Sequence, residues 1–170
     1  GRAWQETGHT HRDMGQLQEA LNDYTRACQL NPALAGSWNS MQKIATQQGR
    51  MRQADYAQRN IERIKKTPKP LVVAADMIAE GKLLRAEDIC RDFLKKVPHH
   101  IEAMRLLADI GLKLGVLTDA EFLLESAVLF APDNVQVRMD YIQALTRRQF
   151  YGKALEQSKH LLDGEPNSAQ

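Results

Sequence analysis

Little in this chain points to chemistry. It holds two cysteines, Cys28 and Cys90, in 170 residues, too few and too scattered for a disulfide framework or a thiolate metal site, and a reducing compartment fits. No apolar run approaches the roughly 20 residues that span a bilayer, and no leader peptide opens the chain. The sequence therefore reads as soluble and cytoplasmic, with no membrane partner. Charge of one sign is lacking too: 23 Lys and Arg stand against 21 Asp and Glu, a formal net charge of +2. The two signs are interspersed, which argues against a nucleic-acid partner, since that calls for a basic stripe.

Catalytic and metal-ligating patterns are missing as well. His9 and His11 are two apart and point to different sides of a helix, without the i, i+4 spacing of a helical metal pair. His99 and His100 follow Pro98 at a turn, where capping or surface roles fit. Gly111 and Gly115 in DIGLKLG imitate a glycine-rich loop, yet no strand precedes them, so a phosphate cradle is excluded. Cys90 reads as a buried small hydrophobe, and Cys28 is expected to be partly exposed. No carboxylate pair stands apart from the solvated faces. No cofactor, no metal and no catalytic role is expected of this chain.

What is present is repetition. Ala103 to Pro132 reads as one helical hairpin: two apolar-periodic runs, separated by Gly115, with the small residue Ala120 where the helices cross. Ala20, Ala54, Ala86, Ala120 and Ala154 recur in register, and Gly15, Gly49, Gly81 and Gly115 each stand five residues before the matching alanine. Such a period means stacked units around a continuous core. Hydrophobic residues, 43% of the chain, are enough to build one.

In the first unit, Trp4, Gly8, Gly15, Ala20, Tyr24, Ala27 and Pro32 stand at the spacings of the tetratricopeptide repeat (TPR), and the chain resembles that family throughout. The resemblance implies an all-α fold, an α-solenoid wound as a right-handed superhelix of about five helix-turn-helix repeats. The repeats would be 1–34, 35–66, 67–100, 101–134 and 135–168 of a single array 1–170, itself a piece of a longer protein. Gly8 and Ala20 mark the helix crossing, with Trp4 and Tyr24 filling the spaces beside it. Thr7 and His11 replace larger residues, so the outer face of the first unit is expected to be loosely packed. The fifth unit carries Arg138 and Gln149 where the first has Trp4 and Gly15, and closes on Pro166.

Local signals sharpen this picture. The step from Ala54 to Ala86 is two residues short of the 34 found elsewhere, and the deficit falls in Thr67 to Pro70. The following helix is expected to begin at Lys69 or Pro70 and to end near Glu80, short and apolar nearly all round. Thr118 with Glu121, and Asp133 with Gln136, have the spacing of capping boxes.

In the family, the first helix of each repeat lines an inner groove that binds a peptide, a protein or a partner domain. Carried over, the groove comprises Gln5, His9 and Arg12, then Asn39, Lys43 and Gln47. Leu71, Ala75 and Ile78 continue it, followed by Arg105, Asp109 and Lys113, and by Met139, Gln143 and Arg147. An apolar centre flanked by cations suits an extended segment with an apolar anchor and acidic neighbours. On an equal reading, Leu71 and Ile78 only repack around the shortened joint and the charges form an ordinary solvated face. The partner is a protein or peptide, or a domain of the same polypeptide. The carboxylate clamp of chaperone-binding members is absent, because Gln5, His9, Ser40, Pro68 and Val72 occupy its slots. RNA binding in the manner of related helical repeats is disfavoured by a groove without dense basic and aromatic lining. Leu83 to Asn134 is also similar to the arrays that precede the catalytic domain in bacterial TPR-containing sulfotransferases. That likeness implies a non-catalytic regulatory or substrate-docking arm, with the catalytic domain beyond residue 170.

Overall fold

A computed structural model describes residues 1–163 of the chain, and Pro166, expected to close the fifth repeat, lies outside them. Among the described residues there are ten helices and no strand. In chain order they are α1 (Arg2–Asp13), α2 (Leu17–Leu30), α3 (Ala35–Gln47), α4 (Met51–Lys66) and α5 (Lys69–Ala79). Then come α6 (Leu83–Lys96), α7 (Ile101–Leu114), α8 (Leu117–Phe130), α9 (Val135–Arg147) and α10 (Tyr151–Asp163). Among them α1 with α2, α3 with α4, α7 with α8 and α9 with α10 pair as antiparallel hairpins, the units of a helical-repeat solenoid. The chain forms two compact units, Gly1–Arg85 and Ala86–Gln170, divided within α6.

One turn recurs at every hairpin. The amides of Gln16, Arg50, Lys82, Val116 and Phe150 donate to the carbonyls of His11, Ala45, Met77, Gly111 and Leu145, at 2.8–2.9 Å. Each bond spans five residues and ends a first helix in a Schellman turn, which needs one left-handed residue. Gly15, Gly49, Gly81 and Gly115 supply it with φ between 69° and 81°, whereas in the fifth hairpin Gln149 is forced to φ 63°. Glycine adopts this region freely; a residue with Cβ does not.

In the first unit, Ala20, Leu21, Tyr24, Cys28, Trp38, Met41 and Ile44 form the core, joined by Ala57 and Ile61 from α4. Gly8 is where α1 meets Tyr24: a Cβ there would stand 2.9 Å from the ring. Trp4 does not fill the neighbouring space as expected, being 43% exposed. The outer face is also tighter than expected, because His11 Nδ1 lies 2.7 Å from Oδ2 of the buried Asp23. Asp76 ties α5 to the start of the unit, accepting from Arg2 Nη2 at 2.6 Å and from Asn31 Nδ2 at 2.7 Å. Lys82 and Arg2 both hydrogen-bond Glu80 and hold its carboxyl below the ordinary range. Helix α5 runs from Lys69 to Ala79 with proline in its first turn, close to the span expected.

In the second unit, Ala108, Leu112, Ala120, Leu124, Tyr141, Ala144 and Leu145 pack between α7, α8 and α9. Met104, Ala127 and Val137 extend that core. Neither expected capping box forms. Helix α8 starts from Val116 without a side-chain cap, and Glu121 is drawn inward to Arg148 instead. Helix α9 is capped by Asn134, whose Oδ1 accepts from the Val137 amide at 3.2 Å. Gln136 donates to Asp140, not to a cap. His100, by contrast, does cap α7, its Nδ1 accepting from the Ala103 amide at 3.3 Å.

Candidate ligand-binding groove

The expected groove residues fall on α1, α3 and α5 in the first unit. Gln5 and His9 are half-buried, while Arg12, Asn39, Lys43 and Gln47 are exposed. Arg12 is paired with Asp13 at 2.8 Å, and Lys43 has no ion-pair partner among the described residues. Ala75 is half-buried.

Leu71 and Ile78 correct the expected apolar centre, because they are 0% and 7% exposed and face the core. Beside Ser37 and Ile44, the buried positions in α3 include Trp38, Met41 and Ala45. Their counterparts by repeat spacing in α5 are 70, 73 and 77, yet α5 buries Leu71, Ala74 and Ile78, each one residue further on. One residue is about 100° of helix rotation. The intended groove positions Leu71 and Ile78 thus face inward, as does Leu112, the α7 counterpart of Ile78, and Val73, the counterpart of the buried Met41 and Leu107, is 47% exposed.

The second unit brings its candidates together. Arg105, Asp109 and Gln143 line a cleft of about 140 Å³ between α7 and α9, with Glu102, Leu112 and Asp140. Arg105 donates from Nε to Asp140 Oδ2 at 2.6 Å and from Nη1 to Glu102 Oε2 at 2.7 Å. Its charge is therefore satisfied within the chain. Lys113 is engaged by Asp109, one turn earlier on α7. Arg147 Nη1 donates to the Leu112 carbonyl at 3.0 Å. Met139 is 53% exposed, and Gln143 and Arg147 are open to solvent. Glu102 and Asp140 share one guanidinium while Lys113 neutralises Asp109, so the cleft carries one surplus negative charge and not the cationic flank expected from sequence.

Glu102 and Asp140 were not among the expected residues. The signal for Asp140 was available: it stands 35 residues after Arg105, one repeat plus one position. The contact of Arg147 with Leu112 has the same separation.

Neither cysteine offers a nucleophile. Both are buried, which corrects the partial exposure expected for Cys28. Burial pushes the Cys28 thiol up to about 12 and the Cys90 thiol up to about 11. Among the described residues no group of three His, Cys, Asp or Glu side chains is placed to hold a metal ion, and no helix is long and apolar enough to cross a membrane.

A solenoid of such hairpins, closed by left-handed turns and presenting side chains from successive first helices, defines a class of repeat scaffold. Family models described as tetratricopeptide repeat match residues 1–34 and 77–139, together more than half of the chain, which belongs to that family. Solved structures similar to it include TTC0263, a TPR protein of Thermus thermophilus, at 18% identity and TM-score 0.54, covering 98% of this chain and 92% of that one. MamA is similar at 14% identity and TM-score 0.53, with 96% and 91% covered. YrrB, described as a TPR protein with an unusual peptide-binding site, is similar at 13% identity and TM-score 0.52, with 97% and 86% covered. At these identities the likeness is one of fold. No curated protein sequence matches the chain.

Proposed function

We propose that the chain is a non-catalytic interaction scaffold that binds an extended protein segment along the face shared by α7 and α9. The single observation that carries this reading is the cleft of about 140 Å³ between them, which gathers Arg105, Asp109 and Gln143 from different repeats. A desolvated pocket rimmed by oriented polar groups is what a peptide side chain needs to gain affinity. Because Glu102 and Asp140 share the single guanidinium of Arg105, while Lys113 neutralises Asp109, the side chain best suited to the cleft is a lysine or arginine, with Gln143 and Arg147 contacting the backbone beside it. The first-unit residues Gln5, His9, Arg12, Asn39, Lys43, Gln47 and Ala75 offer further contacts on their own face. The peptide-binding site named for YrrB lends this reading support by analogy of fold. The docking-arm reading, with a sulfotransferase domain elsewhere in the polypeptide, rests on the resemblance of Leu83 to Asn134 alone.

Photo-crosslinking tests the proposal. A benzoylphenylalanine placed at Met139 or Gln143 is expected to form a discrete adduct in cells, and one at Arg52, exposed on α4, is not. Adducts at Arg52 but at neither groove position would reverse the assignment.

A further inference from the structure

The second helix of each hairpin turns one side to solvent, and on α8, as on α10 with Tyr151, Leu155 and Leu162, that side is largely apolar. Helix α2 exposes Gln18, Asn22 and Gln29, and α4 exposes Arg52, Arg59 and Arg63. Helix α8 exposes Phe122 at 68%, Leu129 at 76% and Phe130 at 52%. A helix that is apolar on its outer side as well as its inner one is normally covered.

Beside it is a groove. Gly111 occupies the repeat position that holds His11, Met77 and Leu145 in the first, third and fifth repeats. A cavity of about 180 Å³ lies between α6 and α8, over Leu107 and Ile110 and beside Gly111. A second cavity of about 350 Å³ shares Arg91, Leu107, Asp119 and Leu123 with the first and is walled by Phe122. The floor is apolar and the rim is charged. Arg91 is neutralised by Glu87 at 2.8 Å, while Asp119 has no ion-pair partner among the described residues. The net charge of these three is negative, with Arg91 already paired, and an anionic lipid surface would be disfavoured.

We propose that this outer groove docks an amphipathic helix of a partner protein, with apolar side chains in the two cavities and a lysine or arginine against Asp119. Anchors at i, i+3 and i+4 are the usual way a helix fills such a trough. The charge at its rim sets which helices are accepted. This surface has no lining residue in common with the α7–α9 cleft, so either site stands or falls alone.

The test uses two fluorescein-labelled 16-residue helical peptides with the same leucine stripe, one carrying lysines and the other glutamates on the polar side, titrated into the full chain. The lysine peptide is expected to bind saturably, with amide shifts centred on Arg91, Asp119, Phe122 and Leu123. Asp119→Lys should weaken it by about tenfold or more and improve binding of the glutamate peptide, a reciprocal change expected of a real charge contact. Phe122→Glu should abolish both. Phe122 and Asp119 are exposed, so the fold should survive; if Phe122→Glu lowers helicity, the Asp119→Lys exchange decides alone. The proposal is overturned by no saturable binding, by equal affinity for both peptides, or by shifts centred on Arg105 and Gln143. It is likewise overturned by self-association that Phe122→Glu removes without any peptide binding, which would make a second copy the occupant.

Discussion

Glu121 on α8 accepts a hydrogen bond from the guanidinium of Arg148, the residue that ends α9, and its carboxylate side chain is only 8% exposed. Arg148 also lies over the Phe150 ring, 4.6 Å from its centroid. The pair therefore fastens the last two hairpins across a largely dry contact. Removing one partner of such a pair strands the other charge, which costs several kcal/mol when both are buried. Arg148 is 26% exposed, so solvent screens part of that penalty. Arg148→Ala is expected to lose about 1–3 kcal/mol in urea unfolding, and Glu121→Gln less. Their combination should cost clearly less than the two effects added, whereas simple additivity would mean that the contact contributes nothing.

Gln149 predicts the opposite sign. It holds a left-handed conformation that four glycines hold at the matching turns, and a side chain in that region costs roughly 1–2 kcal/mol. Gln149→Gly should raise stability by about 1 kcal/mol, even though a glycine normally lowers it. Gly115→Ala should lower it by a similar amount. If the melting temperature of Gln149→Gly falls, the turn is not carrying that strain.

Alkaline pH should weaken the fold. The Cys28 and Cys90 thiols are raised from an ordinary 9.0 to about 12 and about 11. The Tyr141 phenol is raised from 10.0 to about 12, by burial and by the Glu125 carboxylate that its hydroxyl meets at 3.2 Å. For each group the native state keeps its proton where the unfolded chain has lost it, so the unfolded state binds fewer protons and stability falls as pH rises. The decline should begin near pH 9 and continue to about pH 12. Replacing both cysteines by alanine should flatten its lower part, whatever it does to stability at neutral pH. An unchanged slope would contradict the assignment of that decline to the thiols.

The repeat was legible because its punctuation is dictated by contact and backbone alone. Ala20, Ala54, Ala86, Ala120 and Ala154 are small where helices cross, and all five are buried. The four turn glycines are those whose φ is positive. Side-chain partners were not legible to the same degree. Thr118 and Glu121 have capping-box spacing, but the turn at Gly115 starts α8 at Leu117, which carries Glu121 into the second turn and within reach of Arg148. Leu71 and Ile78 failed for a related reason. A repeat slot does not by itself fix a face, since Leu112, the counterpart of Ile78 in the regular fourth repeat, is buried as well. Arg105 was found, but its neutralisation was not, since Asp140 belongs to the next repeat.

Ala120 offers a test of how far such contacts reach. It is fully buried at the crossing of α7 and α8, and even a Cβ on Gly111 would lie 3.3 Å from its own Cβ. Leucine there must force the two backbones apart, an overpacking that typically costs about 1–3 kcal/mol. In a repeat array stability is a sum of unit terms and neighbour terms, so damage is felt most in the hairpins adjoining the altered one. Ala120→Leu is expected to lower hydrogen-exchange protection in α7 to α10 and to leave α1 to α4 close to the parent chain. Protection in the first core, around Tyr24, Trp38 and Ile61, is the internal reference. An equal loss at both places would mean that the array unfolds as one cooperative body, and the neighbour-coupled account would have to be abandoned.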